Sequence, residues 1–302
     1  MSIINFLFLG FVLISNLIFL ILGEVSIEVQ VVFSTVLICL FGIPHGAIDH
    51  IIYRQEQTRS ALMFYSFYFG LILVYFAIWM YLPILSMLLF LTLSAFHFGQ
   101  SQFSNLAINL KWQRVLLYQS WGLSILSGLV IFNYDQIYIL VANNQDTVAL
   151  MPAFQYQANL VVLVLSSAVT LAILIHLKVK NRISGHSFFK EILLFGLIHL
   201  CFFTLPLLVG FTIYFSTLHS MQVLLEEFGY LKKKMLELTV SDFVYMILPY
   251  TLVSIVGLGA LLIMSFFGIL SMSATFLVFI VISILTLPHS IVMDDFYFKS
   301  LK

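Results

Sequence analysis

Two histidines and an aspartate close a long apolar run in Gly42-Ile43-Pro44-His45-Gly46-Ala47-Ile48-Asp49-His50. Imidazoles and carboxylates bind metal ions and carry protons. In hydrocarbon they are costly unless partnered, so there they mark a functional site. Three later stretches share this character: Ser94-Ala95-Phe96-His97-Phe98-Gly99-Gln100, Ser216-Thr217-Leu218-His219-Ser220 and Leu287-Pro288-His289-Ser290. Each sets one histidine inside a long apolar segment.

The surroundings of these histidines are hydrocarbon. Of the 302 residues, 62% are hydrophobic and 9% charged, and the mean hydropathy is +1.11. A soluble domain carries roughly 25% charged residues. The chain therefore reads as an all-α integral membrane protein, a single transmembrane domain over 1–302. Its 13 basic and 13 acidic residues balance, which gives no sign of a nucleic-acid partner. Cys39 and Cys201 lie in apolar segments without motif spacing and read as buried thiols.

A helix needs about 20 apolar residues to cross a bilayer, and ten such segments are predicted. They run over 3–22, 29–52, 61–81, 84–104, 115–133, 158–177, 190–209, 210–230, 243–268 and 273–297. The first is too long for a signal-peptide core and has no basic flank before it. Pro206 and Gly210 mark the turn in a long apolar stretch. Arg54, Arg59, Lys111, Arg114, Lys178, Lys180, Arg182, Lys190, Lys232, Lys233, Lys234, Lys299 and Lys302 all fall on one side of this topology. The intervening connections, including 134–157, carry none. Basic residues concentrate in short cytoplasmic loops, so both termini are expected to be cytoplasmic.

This topology gives the histidines a common depth. His45 lies 9 residues before Arg54, His97 14 before Lys111, His219 13 before Lys232 and His289 10 before Lys299. At about 1.5 Å per residue, all four stand roughly 14 to 21 Å above the basic flank. All four are on even-numbered helices running in one direction. A lone intramembrane histidine ordinarily bonds across a helix interface; four at one depth point to a metal site. His176 reads as interfacial, His186 as a solvated loop residue and His199 as a packing residue. Pro44 and Pro288 each remove a helical hydrogen bond, freeing the carbonyls of Leu40 and Ile284. Kinks there would aim His45 and His289 inward. Gly46 and Gly99 would allow close approach of helices.

Neutral imidazoles suit iron, copper, zinc and nickel, and no cysteine or carboxylate accompanies all four histidines. Four imidazoles with two open positions suit Fe(2+) and dioxygen, and zinc fits the same ligands. Asp49, four residues after His45, shares its face on a regular helix and would orient an imidazole. His50 points about 140° away from His45 and is an alternative ligand.

Taken together and in order, the Pro44–His50, Ser94–Gln100, His219-Ser220 and Pro288-His289 motifs resemble the bacterioopsin-related protein/Blh family of membrane β-carotene 15,15′-dioxygenases. The likeness runs from about residue 40 to about residue 295. It implies a bacterial inner-membrane enzyme that uses Fe(2+) and O2 to split the central double bond of β-carotene into two molecules of retinal. That retinal would supply a rhodopsin. The family's iron-binding histidines match His45, His97 and His219. Its pattern has a further histidine four residues after the His-Ser pair begins, where this chain has Val223. His289 is the candidate for the fourth ligand and His50 the next.

The 31 Phe and 14 Tyr would serve to line a tunnel for a long polyene entering sideways from the bilayer. The second reading is a polytopic transporter that uses intramembrane His and Asp as a metal or proton relay.

Overall fold

The computed structural model describes residues 3–56, 60–106, 108 and 110–300. Arg59 and Lys302 of the basic series lie outside the described residues. Ten helices are long and apolar enough to cross a bilayer, and the chain is a multi-pass membrane protein. They are α1 (Ile3–Leu22), α2 (Ile27–Tyr53), α3 (Ala61–Tyr81), α4 (Pro83–Phe103), α5 (Lys111–Phe132), α6 (Val148–Val179), α7 (Gly185–Thr204), α8 (Leu207–Lys234), α9 (Val240–Phe266) and α10 (Ala274–Phe298). Among the described residues there is no strand.

Local chemistry fixes where the helices begin and end. α7 starts five residues before the expected position because the Ser184 hydroxyl accepts from the Ser187 amide at 3.0 Å, an N-cap. This draws His186 and Lys190 out of the expected loop and into the helix, where Lys190 pairs with Glu191 at 2.8 Å. The turn between α7 and α8 falls at Leu205–Pro206, ahead of the predicted 209–210 boundary. Leu205 is extended, the conformation favoured for a residue before proline. α9 ends where Gly268, at φ 69°, lets the Ile269 amide reach the Met264 carbonyl at 2.9 Å.

The stretch 134–157 is more than a connection. It holds a helix, Tyr134–Ala142, and a 3-10 turn, Val148–Phe154, that leads into α6. Cys201 is fully buried, as expected, while Cys39 is only half-buried.

Burial separates inner from outer helices. About half or more of the apolar window is buried in α4 (50%), α5 (56%), α8 (61%) and α10 (50%), against 11% in α3 and 6% in α9. α4 and α5 are in backbone contact through glycine. A Cβ on Gly99 would lie 2.0 Å from the Tyr118 carbonyl oxygen, and one on Gly122 would lie 1.8 Å from that of Ala95. Small residues at such crossings replace the hydrophobic drive that lipid cannot supply. Across α5 and α6, Thr170 donates to Ser120 at 2.9 Å, and Ser124 and Ser167 share a bond of 2.7 Å. Such bonds contribute about 0.6 kcal/mol each in a membrane interior. The Trp79 indole of α3 donates to Ser283 of α10 at 2.6 Å.

Candidate metal centre

Each of the four histidines reaches the interior by a different backbone device. In α2 the α-helix gives way to a π-helical stretch, Ile38–Gly42, and then to a 3-10 turn, Pro44–Gly46. Pro44 has no amide to continue the α pattern, so the helix breaks as expected, and His45 follows the break. In α8 the stretch Tyr214–Ser220, which contains His219, is also π-helical. Such segments are rare and cluster at functional sites. His97 sits on the regular helix α4, held by the Gly99 crossing. α10 stays helical through Pro288, and His289 follows the proline on that helix.

These devices bring the four imidazoles together, all buried. Ring centroids are 4.9 Å apart for His45 and His289, 5.0 Å for His289 and His97, 4.9 Å for His97 and His219, and 5.3 Å for His219 and His45. Neighbouring planes stand nearly perpendicular, at 89°, 85°, 83° and 81°. The pairs close into a four-membered circuit. One nitrogen from each of His45, His97 and His289 lies within 4.8 Å of the others.

The outward nitrogens are occupied. Nδ1 of His45 pairs with the Gly42 carbonyl, Nδ1 of His219 with the Ser101 hydroxyl at 3.0 Å, and Nδ1 of His289 with Asp49 at 2.9 Å. Nε2 of His97, His219 and His289 is buried without a hydrogen-bond partner, as is Nδ1 of His97. Buried polar atoms are rarely left unpaired. A cation that takes one nitrogen from each imidazole relieves the inner ones, so the residues fit a metal ion. Nitrogen donors without thiolate suit a first-row transition metal.

Asp49 lies elsewhere than the regular-helix reading put it. The turn at Ala47–Ile48 interrupts the regular helix between His45 and Asp49, and the imidazole that the carboxylate bonds is that of His289. The carboxylate also accepts from the Tyr68 hydroxyl at 3.0 Å. A carboxylate on the far nitrogen fixes the tautomer and orientation of an imidazole that binds metal. His50 takes no place in the circuit. Its ring packs against Tyr250, 4.3 Å between centroids. Val223, where the family pattern has histidine, is buried in an apolar cluster with Ile48, Ile52 and Met293.

The remaining histidines lie outside the circuit. His176 and His186 are exposed. His199 meets Ser124 at 3.1 Å and the Phe195 carbonyl at 2.8 Å. The reading by residue type missed Ser101, the Gly42 carbonyl and Tyr68. Ser101, four residues after His97 and so on the same face of α4, had a periodic signal, and the other two had none. Phe98 and Phe215 close the apolar side, their rings 4.7 and 5.5 Å from His219.

Residues 36–297 match the β-carotene 15,15′-dioxygenase family. A relative named β-carotene 15,15′-dioxygenase, from uncultured marine bacterium 66A03, is 26% identical over 269 residues, covering 85% of this chain and 90% of its own. No solved structure matches the chain. Because the matched region starts within α2 and ends within α10, it takes in all four clustered histidines, and the chain belongs to the β-carotene 15,15′-dioxygenase family.

Proposed function

We propose that this protein is a transmembrane catalytic domain that splits the central double bond of β-carotene with O2 into two molecules of retinal, at Fe(2+) held by His45, His97, His219 and His289. The observation that supports this reading is the circuit of four buried imidazoles, three of which have an Nε2 without a partner, in a chain of this family. The balance is simple. One C=C and one O2 are consumed, two C=O bonds form, and no proton is gained or lost.

Bound iron supplies the open coordination positions and the electrons through which dioxygen meets the alkene. The chain supplies the rest. Gly42, Ser101 and Asp49 hold three imidazoles by their outer nitrogens, so that the inner nitrogens converge without reorganisation. Phe98 and Phe215 keep water from the reacting carbons and offer flat apolar faces to a polyene. No general acid or base is needed, and none is assigned. β-Carotene is confined to the hydrocarbon region, so it enters sideways from the bilayer. Retinal leaves by the same medium and is available to a rhodopsin. The one-sided basic residues support cytoplasmic termini, and the family's bacterial relative supports a bacterial inner membrane.

The test is expression in bacteria that accumulate β-carotene, with chromatography of the pigments and metal analysis of the purified protein. The expected result is loss of orange colour, appearance of retinal and about one iron per chain, the stoichiometry of a single closed site. Intact β-carotene together with metal-free, folded protein would overturn the reading in favour of transport.

A further inference from the structure

A second group of polar side chains lies between the imidazoles and the basic end of the bundle. Glu227 on α8 is fully buried, and neither of its carboxylate oxygens has a hydrogen-bond partner. Its electrostatic neighbours are Asp49 and Glu226, both carboxylates. Among the described residues no Lys or Arg pairs with either glutamate. Glu226, by contrast, is fully engaged: Ser104 at 3.1 Å, Asn105 at 3.4 Å and Gln222 at 3.1 Å donate to one oxygen, and Tyr297 at 2.7 Å donates to the other.

A cleft of about 380 Å³ is lined by Tyr53 of α2, Met63 and Phe67 of α3 and the end of α10. Asp294 lines it and is exposed. An Asp294 oxygen accepts from Nε2 of Gln100 at 2.7 Å. Gln100 is itself buried, and its Oε1 has no partner. One turn back along α4 from Gln100 is His97, the one member of the circuit with both ring nitrogens unpartnered.

Asp294 and Gln100 thus lead from an open cleft toward His97, and Glu227 lies near Asp49, the partner of His289. Glu227 follows His219 by 8 residues and Asp294 follows His289 by 5, which places them about 12 and 8 Å along their helices from the imidazoles. An unpaired carboxylate at this depth is expensive, and a positive species is what relieves it. Resting on the iron reading above, we propose that Asp294, Gln100 and Glu227, with Glu226 beside it, form a loading path that delivers Fe(2+) from the cleft to the four-imidazole site. The order of donors suits such transfer. Carboxylate and amide oxygens hold a ferrous ion more weakly than imidazoles do, so the ion passes inward downhill, and His97, with both ring nitrogens unpartnered, receives it.

The experiment measures iron uptake, not turnover. Full-length protein in detergent is stripped of metal and mixed anaerobically with a ferrous salt, and uptake is followed with a chromogenic ferrous chelator. The expected result is that E227Q and D294N reach the wild-type iron content about ten-fold more slowly, the scale on which entrance charges alter on-rates, while E227D loads near the wild-type rate. Wild-type rates in both E227Q and D294N would overturn the path. So would a wild-type rate with reduced final content, which would make the carboxylates ligands of the settled ion. Should E227Q fail to fold, D294N, at an exposed position, decides alone. If the wild-type protein takes up no iron, the iron reading itself fails and the path with it; loading of wild type and both variants at one rate removes the path alone.

Discussion

Three of the four clustered imidazoles are held by what their outer nitrogens do, and this decides which residues matter to a bound ion. His45→Ala, His97→Ala, His219→Ala and His289→Ala are each expected to reduce bound iron from about one per chain to near zero, because a missing donor leaves the other buried nitrogens with an incomplete shell. His50→Ala, His176→Ala and His186→Ala should keep their iron, since the first packs on Tyr250 and the other two are exposed. Metal analysis of the seven purified variants checks this, and full iron in His289→Ala would return the fourth position to another residue. The four histidines were legible because apolar surroundings make any polar residue conspicuous and because depth can be counted from the basic flanks. The partners of their outer nitrogens were not. Tyr68 meets Asp49 across 19 residues of sequence, and nothing in residue type tells which face of α3 turns toward α2.

Among the elements, the α4–α5 crossing carries His97 and leaves no room for a side chain. Gly122→Ala puts a methyl group 1.8 Å from a backbone oxygen, so the helices must separate. A cost of about 3 kcal/mol or more is expected, at or beyond the upper end of ordinary overpacking. It should appear as a lower unfolding temperature in detergent together with partial loss of iron. Gly196→Ala, with open space around it, is the control, and equal behaviour of the two variants would contradict the crossing as described. Pro44 announced the break in α2 from sequence, since proline lacks the amide. The π-helical stretch in α8 carried no such sign. Tyr214–Ser220 contains no proline and no glycine.

For the whole molecule, the ten spans were legible because the bilayer sets a minimum length for an apolar helix, and only their ends needed local chemistry to place them. The stretch 134–157 was misjudged because a helix of nine residues, Tyr134–Ala142, is too short to register against that length. The sidedness of the chain follows from the basic residues and can be measured. With thiols introduced as Lys180→Cys and Gln145→Cys, both at exposed positions, an impermeant reagent added to intact cells should label only the second. Labelling of Lys180→Cys alone would invert the topology. The circuit also has a consequence for the order of events during synthesis. Its first member comes from the second span and its last from the tenth, 244 residues later (289 − 45). Until that final span enters the bilayer, no nascent chain has the complete set of donors. A ribosome-bound or prematurely terminated product thus lacks His289 and with it the closed circuit of imidazoles.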